Sequence, residues 1–158
     1  MLISFYNCED DGPNLQDIQS VTVEDLHAPQ EGGQGQPISG QFTKFDFETG
    51  SETNSETDWD IAFRGTSIIV NGGTSLGTID ELERTGDAGV YIFNGTMAEM
   101  VVVDTSLITQ DSSEGYAIAS GSGNGWYTYT GPPTYLISPT PGKILVFRTR
   151  DGKYAKME

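Results

Sequence analysis

The 158-residue chain contains one cysteine, one histidine and few basic residues. Because Cys8 has no second cysteine to pair with, no internal disulfide can form, and cysteine usage does not reveal the redox compartment. Eight lysines and arginines stand against 23 aspartates and glutamates, which gives a formal net charge of −15. Such a surface repels phosphate groups, so we expect neither nucleic acid nor anionic headgroups as partners. No apolar run approaches the roughly 18 residues of a membrane-spanning helix.

The sequence also lacks the residue combinations of common catalytic and metal sites. His27 is the only histidine, and the pattern offers it no serine partner for a Ser-His-Asp set. The glycine-rich run at residues 121–125 lacks the lysine and threonine of a phosphate-binding loop. The acidic cluster around Glu81 does not have the ligand spacing of an EF-hand. We therefore expect a protein that is not an enzyme and has no dedicated metal-ion site.

Turn-forming residues are plentiful and separate short apolar runs. The chain has 20 glycines and 7 prolines. Residues 41–47 alternate between apolar and polar side chains, residues 144–149 form a mostly apolar run typical of a buried strand, and Asp151-Gly152 is a strong hairpin turn. This pattern predicts a single antiparallel all-β domain with few short helical turns.

The sharpest alternation lies in residues 58–64. It predicts that Trp59, Ile61 and Phe63 share a buried face, while Asp60 and Arg64 lie on the opposite, solvent side. Two weaker patterns are Ser20 to Glu24, which could form an edge strand, and Met100 to Val103, a further strand candidate. Residues 78–84 could form one helical turn. In residues 126–130, alternation places Tyr127 and Tyr129 on one face.

The N-terminal segment has the pattern of a bacterial lipoprotein cleavage site. Residues 1–7 are mostly apolar and uncharged, and Cys8 is followed by an acidic, turn-rich stretch. We expect residues 1–7 to be the tail of a signal peptide, Cys8 to carry the lipid, and residues 8–19 to form a tether. A free cysteine in a disordered tail is the alternative. The β domain then spans residues 20–158.

Several separated segments occur together in a characteristic order. They are TDWDIAFRG at residues 57–65 with IIVNGG at 68–73, the upstream FTKFDF at 42–47, and the C-terminal set GNGWY at 123–127, PTPGK at 139–143, LVFRT at 145–149 and DGKYAK at 151–156. With these segments in this order, residues 20–158 resemble the HmuY family. The last hairpin stops at Glu158, so we expect the domain to be truncated at its C-terminus.

The resemblance implies an antiparallel all-β lipoprotein on the outer membrane or cell surface of a Gram-negative bacterium. Characterised members of the family act as haemophores. They take haem from carriers and pass it to a TonB-dependent outer-membrane receptor without performing chemistry on it. For this chain, the resemblance therefore implies haem as a bound group, a TonB-dependent receptor as a partner, and contact with the membrane through the lipid anchor only.

Haem iron needs axial ligands such as His, Met, Cys or Tyr. The best-studied family member uses two histidines, one shortly after the segment equivalent to Trp126, where this chain has Thr130 and Gly131. Some relatives use methionines, and a tyrosinate is a good ligand for ferric iron. The ligand candidates that follow from the resemblance are Met97, Met100, Tyr127 and Tyr129. Core packing of the methionines and cross-strand packing of the tyrosines are the structural alternatives.

Two functions remain open from the sequence. The first is a haem- or porphyrin-binding lipoprotein that feeds a TonB-dependent uptake system. The second is a non-catalytic envelope lipoprotein on the same scaffold that binds a different ligand or a protein. The missing histidines keep the second function open, and the aromatic cluster around Trp126, Tyr127, Tyr129 and Tyr135 would supply its binding face.

Overall fold

The computed structural model describes residues 18–158, so Cys8 and the predicted signal-peptide remnant lie outside the described residues. This part of the chain contains a 3₁₀ turn, Thr105–Leu107, and no helix long and apolar enough to cross a membrane. Its strands are β1 (Glu31–Gly33), β2 (Gln36–Ser39), β3 (Thr43–Asp46), β4 (Ser51–Thr53), β5 (Ile61–Arg64), β6 (Ser67–Val70), β7 (Gly89–Asn94), β8 (Tyr127–Tyr129), β9 (Ile137–Pro139), β10 (Lys143–Arg148) and β11 (Tyr154–Met157).

Two sheets form the body of the molecule. The larger has the order β4-β3-β5-β6, and the smaller has the order β11-β10-β7. Every strand pair is antiparallel, with Ala62 opposite both Lys44 and Ile69 in the larger sheet. In the smaller sheet Phe147 lies opposite Val90 and Ala155. The predicted antiparallel all-β class is confirmed.

The main core lies between the two sheets. Phe45 and Phe47 contribute from β3 and its end, and Phe147 contributes from β10; the Phe47 and Phe147 ring centroids are 5.2 Å apart. Each large apolar side chain buried here contributes roughly 1.5–3 kcal/mol. The buried members of this cluster are Phe45, Ile61, Ile68, Val70, Ala88, Val90, Ile118, Leu145 and Phe147.

The outer face of each sheet is also covered. On the larger sheet, Phe42, Trp59, Ala62 and Ile69 form a second apolar cluster with Leu82 and Tyr116 packed against it. On the smaller sheet, a third cluster consists of the buried Met100, Ile144 and Val146 with Tyr91, Phe93, Met97 and Val103 around them. Irregular segments therefore cover faces that simple alternation assigns to solvent.

Three predictions for residues 58–64 were wrong, and this covering explains the burial of Asp60 and Arg64. Trp59 packs on the outer face with Ala62 and Ile69, away from Ile61, because β5 begins only at Ile61. Asp60 is only 1% exposed. Arg64, also predicted to face solvent, is 3% exposed.

Asp60 joins the two sheets through an internal ion pair. Its carboxylate accepts hydrogen bonds from the backbone N–H of Phe47 at 2.8 Å and of Arg150 at 2.8 Å. The Arg150 guanidinium donates to both Asp60, at 3.2 Å, and Asp46, at 2.9 Å. Burial raises the pKa of Asp60, and these donors oppose that rise.

Three weaker predictions were wrong. Residues 20–24 form no strand, and residues 100–103 are irregular. Residues 78–84 contain only a turn, in which the backbone N–H of Glu81 donates to the carbonyl of Thr78 at 3.3 Å.

The turn after β6 brings two backbone segments into close contact. Gly72 packs directly on the backbone of Ala88, where a Cβ would meet the carbonyl oxygen of Ala88 and come within 2.8 Å of its nitrogen. The Asn71 side chain is fully buried beside it and accepts from the backbone N–H of Thr85 at 2.7 Å and of Gly86 at 3.1 Å.

We expect Gly72→Ala to destabilise the fold by about 1–3 kcal/mol, because rigid backbone must move to make room for the methyl group. Urea unfolding followed by tryptophan fluorescence measures the change. Gly115→Ala is the matched control, since Gly115 has no atom within 4 Å of its Cβ position and no positive φ. Equal stability of the two variants would contradict the packing described for this turn.

Candidate functional site

A cleft of about 620 Å³ lies beside two hairpins that belong to neither large sheet. One hairpin is β1–β2, whose turn residues Gln34 and Gly35 both have positive φ. The other is β8–β9, in which Tyr127 lies opposite Pro139. The lining residues are Gln30, Gly32, Gly33, Gln34, Gly65, Thr66, Ser122, Tyr127, Tyr129 and Ile137. This volume is within the range of small-molecule sites.

Tyr127 and Tyr129 lie on the same face of β8 and both line this cleft, which confirms their predicted alternation. The Tyr127 hydroxyl accepts a hydrogen bond from Thr66 Oγ1 at 3.3 Å, and its side chain is largely buried. Trp126 fixes the strand to the core by donating from Nε1 to the Thr66 carbonyl at 2.9 Å. Tyr129 is 45% exposed and is therefore open to a ligand.

A second cleft, of about 590 Å³, shares Gln30, Thr66 and Tyr127 with the first. Its distinctive member is the buried Arg64. The other lining residues are Pro37, Ile38, Ser67, Leu76, Gly77, Thr78, Ile79, Tyr116 and Ser120. Tyr127 thus forms a wall common to both clefts.

Met97 and Met100 lie elsewhere, on the outer face of the three-stranded sheet. Met100 is 5% exposed and packs with Ile144 and Val146. Lys156 holds this segment by donating to the Met97 carbonyl at 2.6 Å and the Met100 carbonyl at 2.8 Å. The structure therefore brings together the two methionines in one cluster and the two tyrosines in one cleft, and no residue is common to the two.

The sequence matches the model of a known protein family. The family model described as HmuY protein matches residues 39–158. The chain belongs to the HmuY family. A search of curated proteins found no match. The HmuY family is a haem-binding, non-enzymatic family of extracytoplasmic proteins.

The HmuY match includes both tyrosines and both methionines, but the four ligand assignments stay predictions. Thr130 and Gly131, where the best-studied family member is expected to carry a histidine, follow directly after β8. The Thr130 hydroxyl lies within 2.6 Å of the Thr134 hydroxyl and so takes part in closing the β8–β9 turn. Among residues 18–158 there is no cluster of three His, Cys, Asp or Glu side chains suited to a metal ion.

Two buried groups beside the clefts were missed by sequence reasoning. The alternation places Arg64 at solvent, and the sequence shows Glu81 only as part of an acidic cluster without EF-hand spacing. Glu81 instead pairs with Arg84 at 2.8 Å, and Arg84 also pairs with Asp111 at 2.8 Å, all with side chains no more than 1% exposed. The three-residue spacing of Glu81 and Arg84 was the available signal, but the partner Asp111 is distant in sequence.

Hydrogen bonding keeps Glu81 ionised. Burial acts to raise its pKa, but donors in the backbone of Thr78 and Leu76, the Thr78 hydroxyl and Arg84 outweigh burial and lower the pKa from 4.5 to about 2. Because the folded-state pKa is depressed, this group stabilises the fold above about pH 4.5, and the contribution is lost as the pH falls towards 2.

We expect Glu81→Gln to lower the free energy of unfolding at pH 7 by about 2–3 kcal/mol, because Arg84 keeps only one carboxylate partner. The variant should also lose less stability than the parent between pH 4.5 and pH 2. Urea unfolding across this pH range measures both effects. The exposed Glu83→Gln is the control, and an unchanged pH dependence in Glu81→Gln would contradict the proposed role of the carboxylate.

Proposed function

We propose that this protein binds haem or a related porphyrin and passes it to a TonB-dependent uptake receptor. The observation that carries the proposal is the HmuY match over residues 39–158. The protein performs no reaction on its ligand in this proposal. Its task is to hold an apolar, iron-containing ring outside water and to release it to the receptor.

The cleft beside β8 is the binding site that we propose. The exposed aromatic face of Tyr129 and the side chain of Ile137 offer apolar contact to a flat ring. A tyrosinate oxygen is a hard, anionic donor that suits ferric iron. Tyr129 is our first candidate for the axial ligand because it is open to solvent, and Tyr127 is the second because it lines the same cleft.

Met97 and Met100 are the alternative ligand pair. A thioether favours ferrous over ferric haem, so methionine ligation would appear on reduction. Val101 and Val102, which follow Met100, are 81% and 79% exposed and would supply apolar contact. Use of Met100 would require its side chain to leave the cluster with Ile144 and Val146. This cost places the methionine pair behind the tyrosine pair.

The proposal includes anchoring at the outer membrane or cell surface through a lipid on Cys8, with residues 8–19 as the tether. Cys8 lies outside the described residues, and the proposal that it carries a lipid is supported by the sequence pattern. A lipid anchor would keep the binding domain beside an outer-membrane receptor, which raises their effective concentration relative to two freely diffusing partners.

A second candidate function is an envelope interaction protein that binds a different ligand or a protein partner without haem. The observation that favours it is the exposed apolar surface of the β8–β9 hairpin. Tyr135, Leu136 and Ile137 are 62%, 55% and 48% exposed. Contiguous exposed apolar side chains of this kind commonly mark interaction surfaces.

We expect hemin titration to give a shifted Soret band with the ferric protein. The double variant Tyr127→Phe/Tyr129→Phe should weaken the band strongly, because it removes both phenolic oxygens and retains the rings. Absorbance spectra in the oxidised and reduced states measure the response. Tyr154→Phe is the matched control, since Tyr154 is 50% exposed on β11.

Three outcomes separate the candidates. A Soret band that appears only on reduction and is lost in Met97→Leu/Met100→Leu would identify the methionines, instead of the tyrosines, as the axial ligands. The absence of a band in both redox states, with the protein folded, would overturn haem binding. Recovery of a protein partner by such hemin-inert protein would then support the interaction function.

We expect Cys8 to be acylated when the chain is expressed behind a complete lipoprotein signal peptide in a Gram-negative host. Labelling with an alkyne-bearing fatty acid should mark the parent protein and place it in the membrane fraction. Cys8→Ser should be unlabelled and released on lysis, because the chain has no other cysteine. Equal labelling of both proteins would refute lipidation at this residue.

A further inference from the structure

Arg64 occupies an unusual position at the end of β5. Its side chain is buried, with the residue only 3% exposed, and it still lines the second cleft. The guanidinium donates to the carbonyl oxygens of Gly40, at 3.1 Å, and Ile79, at 2.6 Å, and to the Thr78 hydroxyl at 3.1 Å. It also lies 4.1 Å from the centre of the Phe42 ring. All of these contacts are with neutral groups.

Within residues 18–158, no carboxylate oxygen lies within 4 Å of the Arg64 guanidinium. Each of the other three arginines in these residues has at least one carboxylate partner. Arg84 pairs with Asp111, Arg148 pairs with Asp87, and Arg150 pairs with Asp46. This contrast occurs in a protein with 23 acidic and only 8 basic residues. A buried cation normally requires a compensating charge.

One carboxylate is linked to Arg64 indirectly. Thr78 Oγ1, which accepts from Arg64, donates in turn to Glu81 at 2.9 Å. Glu81 makes its direct ion pair with Arg84, at 2.8 Å, and reaches Arg64 only through the Thr78 hydroxyl. The direct ionic position on Arg64 is therefore left for a group that enters the cleft.

The rest of this cleft fits an amphipathic anion. Ile38 and Ile79, which are 46% and 50% exposed, provide apolar surface next to the cation. Tyr127 connects this cleft with the neighbouring one that contains Tyr129. A porphyrin with carboxylate side chains has this combination of an apolar ring and peripheral negative charge.

We propose that Arg64 binds a carboxylate of the porphyrin ligand, with the ring lying across Tyr127 towards Tyr129. This inference rests on the proposed function and assigns the part of the site that recognises the periphery of the ring. The planar guanidinium matches a carboxylate in shape and hydrogen-bonding direction. It also offsets the repulsion that a chain of net charge −15 exerts on an anionic ligand.

The test compares protoporphyrin IX with its dimethyl ester on the folded chain, using quenching of tryptophan fluorescence in the same dilute detergent. The acid should bind about tenfold or more tightly than the ester, because only the acid makes a charge-assisted hydrogen bond. In Arg64→Gln the ratio of the two affinities should fall close to one. Arg64→Lys should retain part of the preference, since it keeps the charge.

Arg148→Gln is the matched control, because Arg148 pairs with Asp87 on the other sheet and lines neither cleft. The parent protein alone tests the inference if Arg64→Gln does not fold. Equal affinity for acid and ester in the parent would overturn the role of Arg64 and leave porphyrin binding intact. An unchanged ratio in folded Arg64→Gln would do the same. Failure of both porphyrins and of hemin to bind would overturn the proposed function as well.

Discussion

The apolar contact between the two sheets is the constraint on which the rest of the structure depends. Phe147 is fully buried at its centre and contacts Phe47 across the interface. Because both sheets are also covered on their outer faces, the loops that cover them are fixed by the core beneath. The β8–β9 hairpin is placed in the same way, since Trp126 packs against the main core and hydrogen bonds to Thr66. The cleft lined by Tyr127 and Tyr129, the tyrosine cleft, is therefore positioned by the packing of the sheets.

Internal charge pairing is the second organising feature. Asp60 and Arg150 connect residues that are 90 positions apart, and Arg84 and Asp111 connect two loops over the larger sheet. Buried ion pairs stabilise a fold only when their geometry is good and further hydrogen bonds satisfy both partners. Here each partner residue also takes part in hydrogen bonds with the backbone. The acidic excess of the sequence consequently consists of two populations, a solvated surface and a small set of carboxylates that tie segments together.

The strands were largely predictable because their apolar residues report directly on burial. Alternation located β3 and β5 and placed Tyr127 and Tyr129 on one face, and an apolar run located β10. The same rule failed for Asp60 and Arg64, because it assumes that one side of a strand meets water. Covering by irregular segments removes that assumption, and no local pattern reveals it. The wall formed by Tyr127 and Tyr129 was predictable, but the opposite wall comes from glycine-rich residues 30–34, which contain no apolar side chain to show an alternating pattern.

The two hairpins beside the tyrosine cleft hydrogen bond within themselves and join neither large sheet. An isolated two-stranded ribbon is marginally stable, and segments with few core contacts open with far smaller free energies than the whole domain. The β8–β9 turn beyond Tyr129 can therefore open locally, and its amides can exchange with solvent, while Trp126 and the two sheets stay in place. In this molecule the cooperative unfolding of the core is separate from the local opening of the turns that line the cleft.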